Sequence, residues 1–277
     1  MTLLTIFGKD FFCNFVENIF IMIPFNKIAL IGSGNVSYAF SKALKNNGIN
    51  PTYILIRDKN KISVVQNTFG IETTIDYTKI FDCDLIIIAV KDDAIKDVSS
   101  NLNEFKGLVV HTSGTQSSSL LENIENHGIL YPLQTLTKDF DVDFKKVPLL
   151  VNASSPDNLK RLTTLAKKIS DNVVYCSDEE RCHIHMSAVY VSNFVNIMLQ
   201  IGNKLLKEKG LDISILESLV RETVNKSFAL GPEKALTGPA KRGDINTINR
   251  HKLMLDNNIE EKKIYELLTD YILNKYK

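Results

Sequence analysis

From Lys27 onward the chain alternates short, uninterrupted apolar runs with polar stretches of helical period, and few folds accommodate that pattern. The runs are Lys27–Ile31, Tyr53–Ile56, Asp84–Val90, Leu108–His111, Ile129–Pro132, Leu149–Val151 and Val173–Tyr175. They are continuous rather than alternating, as strands buried on both faces of a parallel sheet must be. Between them, helices are predicted over Val36–Asn46, Lys61–Thr68, Asp93–Leu102, Ser118–Asn126 and Asn158–Ser170. Strand after helix after strand implies a doubly wound α/β domain with helices on both faces of the sheet.

After Ser177 the strands stop. A long helix is expected from Asp178, as its cap, to Lys209, with Gly210 as its stop. Further helices are read over Asp212–Leu230, Asp244–Asn257 and Ile259–Tyr276, with Gly231-Pro232 as a break. The predicted class is therefore a doubly wound, Rossmann-type parallel sheet followed by an all-α C-terminal domain. The expected boundaries are an extension over residues 1–26, a dinucleotide-binding domain over 27–177 and a helical domain over 178–277. In the extension, Lys9, Asp10 and Glu17 interrupt the apolar residues, so neither a spanning helix nor a signal peptide is expected. Met22 would serve as a start close to the first strand.

The 277 residues carry a net charge of +1, which gives no footing for nucleic acid or an anionic membrane as partner. Four scattered cysteines suit a reducing compartment, and a cytoplasmic location is expected. Cys176, Cys182, His183 and His185 match no familiar zinc spacing, so no metal is assigned.

The first run is followed at once by Gly32-Ser33-Gly34-Asn35-Val36-Ser37 and then a helix. Gly32 permits the tight turn, and Gly34 lets a pyrophosphate approach the backbone. The helix start, at Asn35 and Val36, offers free N–H groups and the positive end of its dipole. Ser37 stands where a third glycine is usual and is still small. The second run ends in Arg57-Asp58-Lys59, with Lys61 beyond. An acidic residue there suits the ribose hydroxyl of NAD; an arginine suits the 2′-phosphate of NADP. Arg57 comes first and favours NADP, with NAD as the alternative. Ligands in open sheets lie beyond the carboxyl ends of the strands. That edge also carries Val90 and Lys91, and Ser113 and Gly114 in the turn after His111.

In the helical half, His185, Ser192, Asn196, Gln200 and Asn203 form a polar stripe, with Asn193 beside it. Amides within an apolar helix need hydrogen-bonding partners, from substrate, nicotinamide or another helix. His185, Asn193, Asn196 and Lys226 are the candidate catalytic residues. His185 leads as acid or base, since histidine titrates near neutrality, and Lys226 stands second. Lys241 and Arg242, between Gly238 and Gly243, are candidates for an anionic group.

Together these segments resemble the Rossmann-like proteins that carry the domain of unknown function DUF2520. Those are distant relatives of deazaflavin-dependent NADP reductase and pyrroline-carboxylate reductase. The resemblance rests on Ile31–Leu44, His111–Gly114, Tyr131–Thr135, Arg181–Asn196 and Thr237–Asp244 followed by His251. Asn152 departs from it, at a position where the pattern has an acidic residue. The resemblance implies an NADP-binding, often dimeric protein acting on a small molecule, with the homodimer formed through the helical domain. It leaves three readings: hydride transfer with a carbonyl or imine substrate, transfer to a deazaflavin, or a non-enzymatic NADP sensor.

Overall fold

A computed structural model describes residues 24–276; the expectations for residues 1–23 lie outside the described residues. The chain divides into two compact units between Tyr190 and Val191.

In the first unit the predicted runs become strands β1 (Ile28–Ile31), β2 (Tyr53–Leu55), β4 (Leu85–Ile88), β5 (Leu108–His111), β6 (His127–Pro132), β7 (Leu149–Ala153) and β8 (Val173–Tyr175). A further short strand, β3 (Glu72–Thr74), joins the edge. Three residues with one exposed are too short to give a periodic signal, so it went unpredicted. The sheet order is β3-β2-β1-β4-β5-β6-β7-β8. All described pairs are parallel except β6 with β7, which run antiparallel. The link Leu133–Pro148 that joins them carries a single turn of 3₁₀ helix, Phe144–Lys146.

Alternate strand residues feed opposite faces, which is why the runs are continuous. Ile28, Leu30, Leu85, Ile87, Leu108 and Val110 pack under α1 (Asn35–Asn46) and α4 (Pro156–Ile169), through Phe40, Leu44, Leu162 and Leu165. Ala29, Ile31, Ile86, Ile88 and Val109 pack under α3 (Ile95–Ser99) and Leu121 on the other face. Helix α2 (Ile62–Phe69) closes the β2 end through Val65 and Phe69. The helix expected over Ser118–Asn126 is instead a 3₁₀ turn, Ser118–Leu121, capped by the Ser117 hydroxyl. The serine cluster there bonds to its own and neighbouring groups, an alternative to a helical ladder.

Helix α5 (Asp178–Ala188) starts in the first unit. Its cap is Ser177 rather than the expected Asp178: the Ser177 hydroxyl accepts from the Glu180 N–H and Glu180 reaches back to the Ser177 N–H, a capping box. Asp178 is thereby free for a different task, described below. A π-helical segment, Val189–Asn193, follows, and it is across this segment that the two units divide.

The second unit is all helical, with α6 (Phe194–Lys207), α7 (Glu217–Leu230), α8 (Pro232–Ala235), α9 (Pro239–Arg242), α10 (Ile245–Met254) and α11 (Ile259–Lys275). Asp244 caps α10 through the Thr247 N–H, as its position suggested. The helical stretch Asp178–Lys207 is long and apolar enough to cross a membrane by length and composition.

Candidate active site

Beyond the carboxyl ends of β1, β2 and β4 lies a cleft of about 640 Å³. Gly32, Ser33, Gly34, Asn35, Val36, Arg57, Val90 and Lys91 all line it, so eight of the residues singled out for the cofactor share one wall system. Gly32 has φ of 118°, and a Cβ there would stand 2.3 Å from the Ala89 carbonyl oxygen. No other residue fits. A Cβ on Gly34 would meet nothing within 4 Å, because that position faces the open cleft. Helix α1 begins beside it without a side-chain cap, leaving its first N–H groups directed at the cleft. The cradle therefore fits a dinucleotide pyrophosphate.

The Gly32 N–H donates to the Leu55 carbonyl at 2.9 Å, which draws the glycine loop against the end of β2. There Arg57 is exposed and, among the described residues, bonded to no carboxylate. Lys61 lines the same cleft. Asp58 accepts from the Asn60 N–H and lies 3.8 Å from Lys61, so its charge is partly spent on its own turn.

The loop after β5 is built differently from the cleft. His111 is fully buried; its Nδ1 accepts from the Ser113 N–H and its Nε2 then carries the proton toward the Ser117 carbonyl, both at 3.2 Å. Burial pushes this imidazole down to about 4. The Ser113 hydroxyl donates to Asp92 at 2.9 Å and accepts from the Thr115 and Gln116 N–H groups. Ser113 thus shapes the turn with its side chain. Gly114 is wedged: a Cβ there would lie 2.5 Å from His185 Nδ1 and 2.9 Å from Tyr131 Cζ.

That wedge marks a pair the sequence reading did not assemble. The Tyr131 hydroxyl and His185 Nδ1 are 3.0 Å apart. Tyr131 lies one residue before the end of β6, two beyond Ile129, which is in register with His111 on β5. Tyr131 and Ser113 therefore stand at the same carboxyl edge of the sheet. Burial pushes the Tyr131 phenol above its usual value. Among the described hydrogen bonds none uses His185 Nε2, so one imidazole nitrogen is left for a ligand or solvent.

A second pair fixes the turn to α5. Asp178 Oδ2 accepts from the Ser117 hydroxyl and from the Ser118 N–H and hydroxyl, at 2.8–2.9 Å. Its Oδ1 accepts from Arg181 Nη1 at 2.6 Å. Arg181, with no exposed surface, also donates from Nη2 to the Gln116 carbonyl. Burial works to raise the Asp178 carboxyl, but the bonds from Arg181, Ser118 and Ser117 outweigh it and hold the group at about 2.

The other candidates lie in the second unit. Asn193 and Asn196 are exposed, and Asn196 Oδ1 accepts from Gln200 Nε2 at 2.7 Å. The stripe is thus partly self-satisfied. Lys226 is half-buried on α7. Lys241 is occupied: its ammonium donates to the Leu236 carbonyl at 2.8 Å and the Glu233 carbonyl at 3.3 Å, closing the end of α8. His251 Nδ1 and the Tyr265 hydroxyl are 2.9 Å apart. Among the described residues no cluster of His, Cys, Asp or Glu is arranged to hold a metal ion.

Two family models match the chain. "NADP oxidoreductase coenzyme F420-dependent" matches residues 27–112, and "Domain of unknown function (DUF2520)" matches residues 147–272. A "putative NADP oxidoreductase" from Bacteroides fragilis is 32% identical over 91% of this chain and 99% of its own, with a TM-score of 0.83. The chain belongs to this NADP oxidoreductase family with a DUF2520 domain. The glycine cradle and Arg57 are the parts of this member that fit the family's cofactor. More remote structures share the fold. An imine reductase from Myxococcus stipitatus, in complex with NADP+, has 14% identity and a TM-score of 0.61, covering 90% of this chain and 92% of its own. A pyrroline-5-carboxylate reductase from Coxiella burnetii has 18% identity and a TM-score of 0.54, covering 90% and 96%. Among curated proteins none matches.

Proposed function

We propose that this family member transfers hydride between NADP(H) and a small carbonyl or imine compound. One observation carries the reading. The carboxyl edge of a single sheet bears both a glycine cradle flanked by Arg57, which bonds to no carboxylate among the described residues, and a tyrosine–histidine pair at hydrogen-bonding distance. A binding protein needs only the first.

In this reading Gly32, Ser33, Gly34, Asn35 and Val36 hold the pyrophosphate through backbone N–H groups, and Val90 and Lys91 bound the cleft on the β4 side. Arg57 takes the 2′-phosphate, two of whose oxygens the planar fork of a guanidinium can bond in parallel. Ser113 and Gly114 set the turn that borders the nicotinamide end. The bound cofactor supplies hydride to the carbon of the C=O or C=N bond. His185 supplies the proton that the resulting oxygen or nitrogen requires, and Tyr131 orients its ring and hands on a replacement proton. Asn193, Asn196 and Lys226 are proposed as further polar groups for substrate.

The deazaflavin alternative draws less support, because the F420-related model matches only residues 27–112, the cofactor-cradling part.

The helical unit is proposed to pair with a second copy of the chain. Phe228 is 89% exposed, Leu267 72% and Leu253 70%, and a chain working in the cytoplasm gains by covering such surface. The free cysteines Cys83, Cys176 and Cys182 suit that compartment.

The test is calorimetric titration of the full chain with NADPH and NADH, beside Arg57→Ala, followed by a screen of small carbonyls and imines. Binding selective for NADPH that falls roughly 10- to 50-fold in Arg57→Ala is expected, the range for losing a charge-assisted two-point contact. A folded wild-type chain that binds neither nucleotide would end the reading.

A further inference from the structure

Lys138 has no place in the machinery described above, yet it sits against it. It lies in the Leu133–Pro148 link, 105 residues from the glycine loop in sequence, and its ammonium donates to the Ser33 carbonyl at 3.1 Å. Its Nζ also stands over two rings, 5.3 Å from the Phe69 centroid and 5.8 Å from that of Tyr38. Those rings meet edge to face, 5.3 Å apart, and support the lysine stem. The link is held down further along by an ion pair between Lys42 on α1 and Asp141. Nearer its start, Gln134 and Leu136 line the cofactor cleft.

Among the described residues no carboxylate pairs with Lys138. An ammonium has three donors, and one carbonyl leaves two of them unused. Ser33, to which it is tied, faces the same cleft as Arg57 and Lys61, and the Gly32–Leu55 bond holds this loop against the β2 end. Three cations therefore meet on this side of the cleft from two separate segments, Arg57 and Lys61 from the β2 turn and Lys138 from the β6–β7 link, and among the described lining residues Asp58 is the one carboxylate. That excess of positive charge is what a nearly dianionic phosphate monoester needs, and the 2′-phosphate is the one feature that distinguishes NADP from NAD.

We propose that Lys138 is the third cation of the 2′-phosphate pocket, together with Arg57 and Lys61, and thereby helps to set the preference for NADP over NAD. The inference rests on the cofactor reading given above. It adds that the preference is written partly in the β6–β7 link rather than wholly in the β2 turn. The flexible stem lets the ammonium turn from the Ser33 carbonyl to a phosphate oxygen while keeping its contact with the rings.

The experiment titrates the full chain with NADPH, NADH, 2′,5′-ADP and 5′-AMP, comparing wild type with Lys138→Met and Lys138→Arg. Methionine keeps the apolar stem over Tyr38 and Phe69 and removes only the charge; arginine keeps the charge. In Lys138→Met, NADPH and 2′,5′-ADP are expected to weaken roughly three- to ten-fold, the size of one partly exposed charge contact. NADH and 5′-AMP should stay within about two-fold, and Lys138→Arg should retain most of the preference. Equal weakening of NADPH and NADH would overturn the proposal, leaving Lys138 as a strut for the glycine loop. Unchanged affinities would overturn it too. If wild type bound no nucleotide, the cofactor reading itself would fall first, a different result from either of these.

Discussion

Replacing Arg181 with methionine probes how firmly the turn after β5 is held to α5. The guanidinium has no exposed surface and two partners, Asp178 Oδ1 at 2.6 Å and the Gln116 carbonyl. Losing the charge-assisted bond costs about 1.5–3 kcal/mol, and stranding the Gln116 carbonyl a further ~1–3 kcal/mol. Two facts reduce the total. Arg181 Nε is buried with no partner, so its desolvation cost disappears with the side chain. Asp178 is not stranded either, since it keeps three donors from Ser117 and Ser118. The net expectation is about 2–3 kcal/mol of lost stability at pH 7, near the low end for breaking a buried pair. That corresponds to a fall of roughly 5–10 °C in Tm for a unit of this size. Urea denaturation followed by circular dichroism at pH 7 and at pH 3 would measure it. Asp178 is held at about 2, below its ordinary 3.8. Its contribution is therefore present above about pH 4 and lost as pH falls through about 2. With Arg181 gone, one of the bonds that lowers it is missing, so the folded pKa lies nearer 3.8 and the acid-dependent loss in the variant should be smaller and complete at a higher pH. A loss under about 1 kcal/mol at pH 7, or an acid profile identical to wild type, would refute the reasoning that this pair clamps the turn.

Three further outcomes follow from the same geometry. Gly32→Ala should fold poorly, because its Cβ would lie 2.3 Å from the Ala89 carbonyl at a φ of 118°; a lowered Tm or insoluble expression reads it. Gly34→Ala, with nothing within 4 Å, should keep the wild-type Tm yet lose NADPH affinity by roughly ten-fold or more, because the methyl enters the space a pyrophosphate needs. His111 is held neutral, its pKa pushed down from 6.5 to about 4. The unfolded chain takes up its proton first, so this contribution is complete above about pH 6.5 and lost as pH falls toward about 4. The loss is at most about 3 kcal/mol. A stability–pH curve in which His111→Gln removes the slope across that window would bear this out.

The Rossmann-type fold and its glycine turn were legible in the chain because their causes are local. A parallel strand buried on both faces must be continuously apolar, and Ile28–Ile31 is. The turn into α1 needs a residue that tolerates positive φ at Gly32 and one without a side chain at Gly34, and both requirements are met by neighbours in sequence. Arg57 could be read likewise, as the cation at the end of the second strand. Where local signals were weak or mixed, the reading slipped: the serine run at Ser117–Ser119 makes a turn instead of a helix, and Ser177 rather than Asp178 caps α5.

What only the tertiary structure decided were pairings across the sheet. Tyr131 meets His185 across 54 residues, Arg181 meets Gln116 across 65, and Lys138 meets Ser33 across 105. None leaves a periodic trace, because a contact between loops depends on strand order, and strand order is set by how whole elements cover one another. The antiparallel turn of β7 back along β6 is the clearest case. It carries the Leu133–Pro148 link across to α1, and so brings Lys138 to the glycine loop. The sequence by itself determined the sheet and the glycine turn at its carboxyl edge. The arrangement of the strands decided which side chains surround them, since local composition sets what a segment becomes but not what it comes to lie beside.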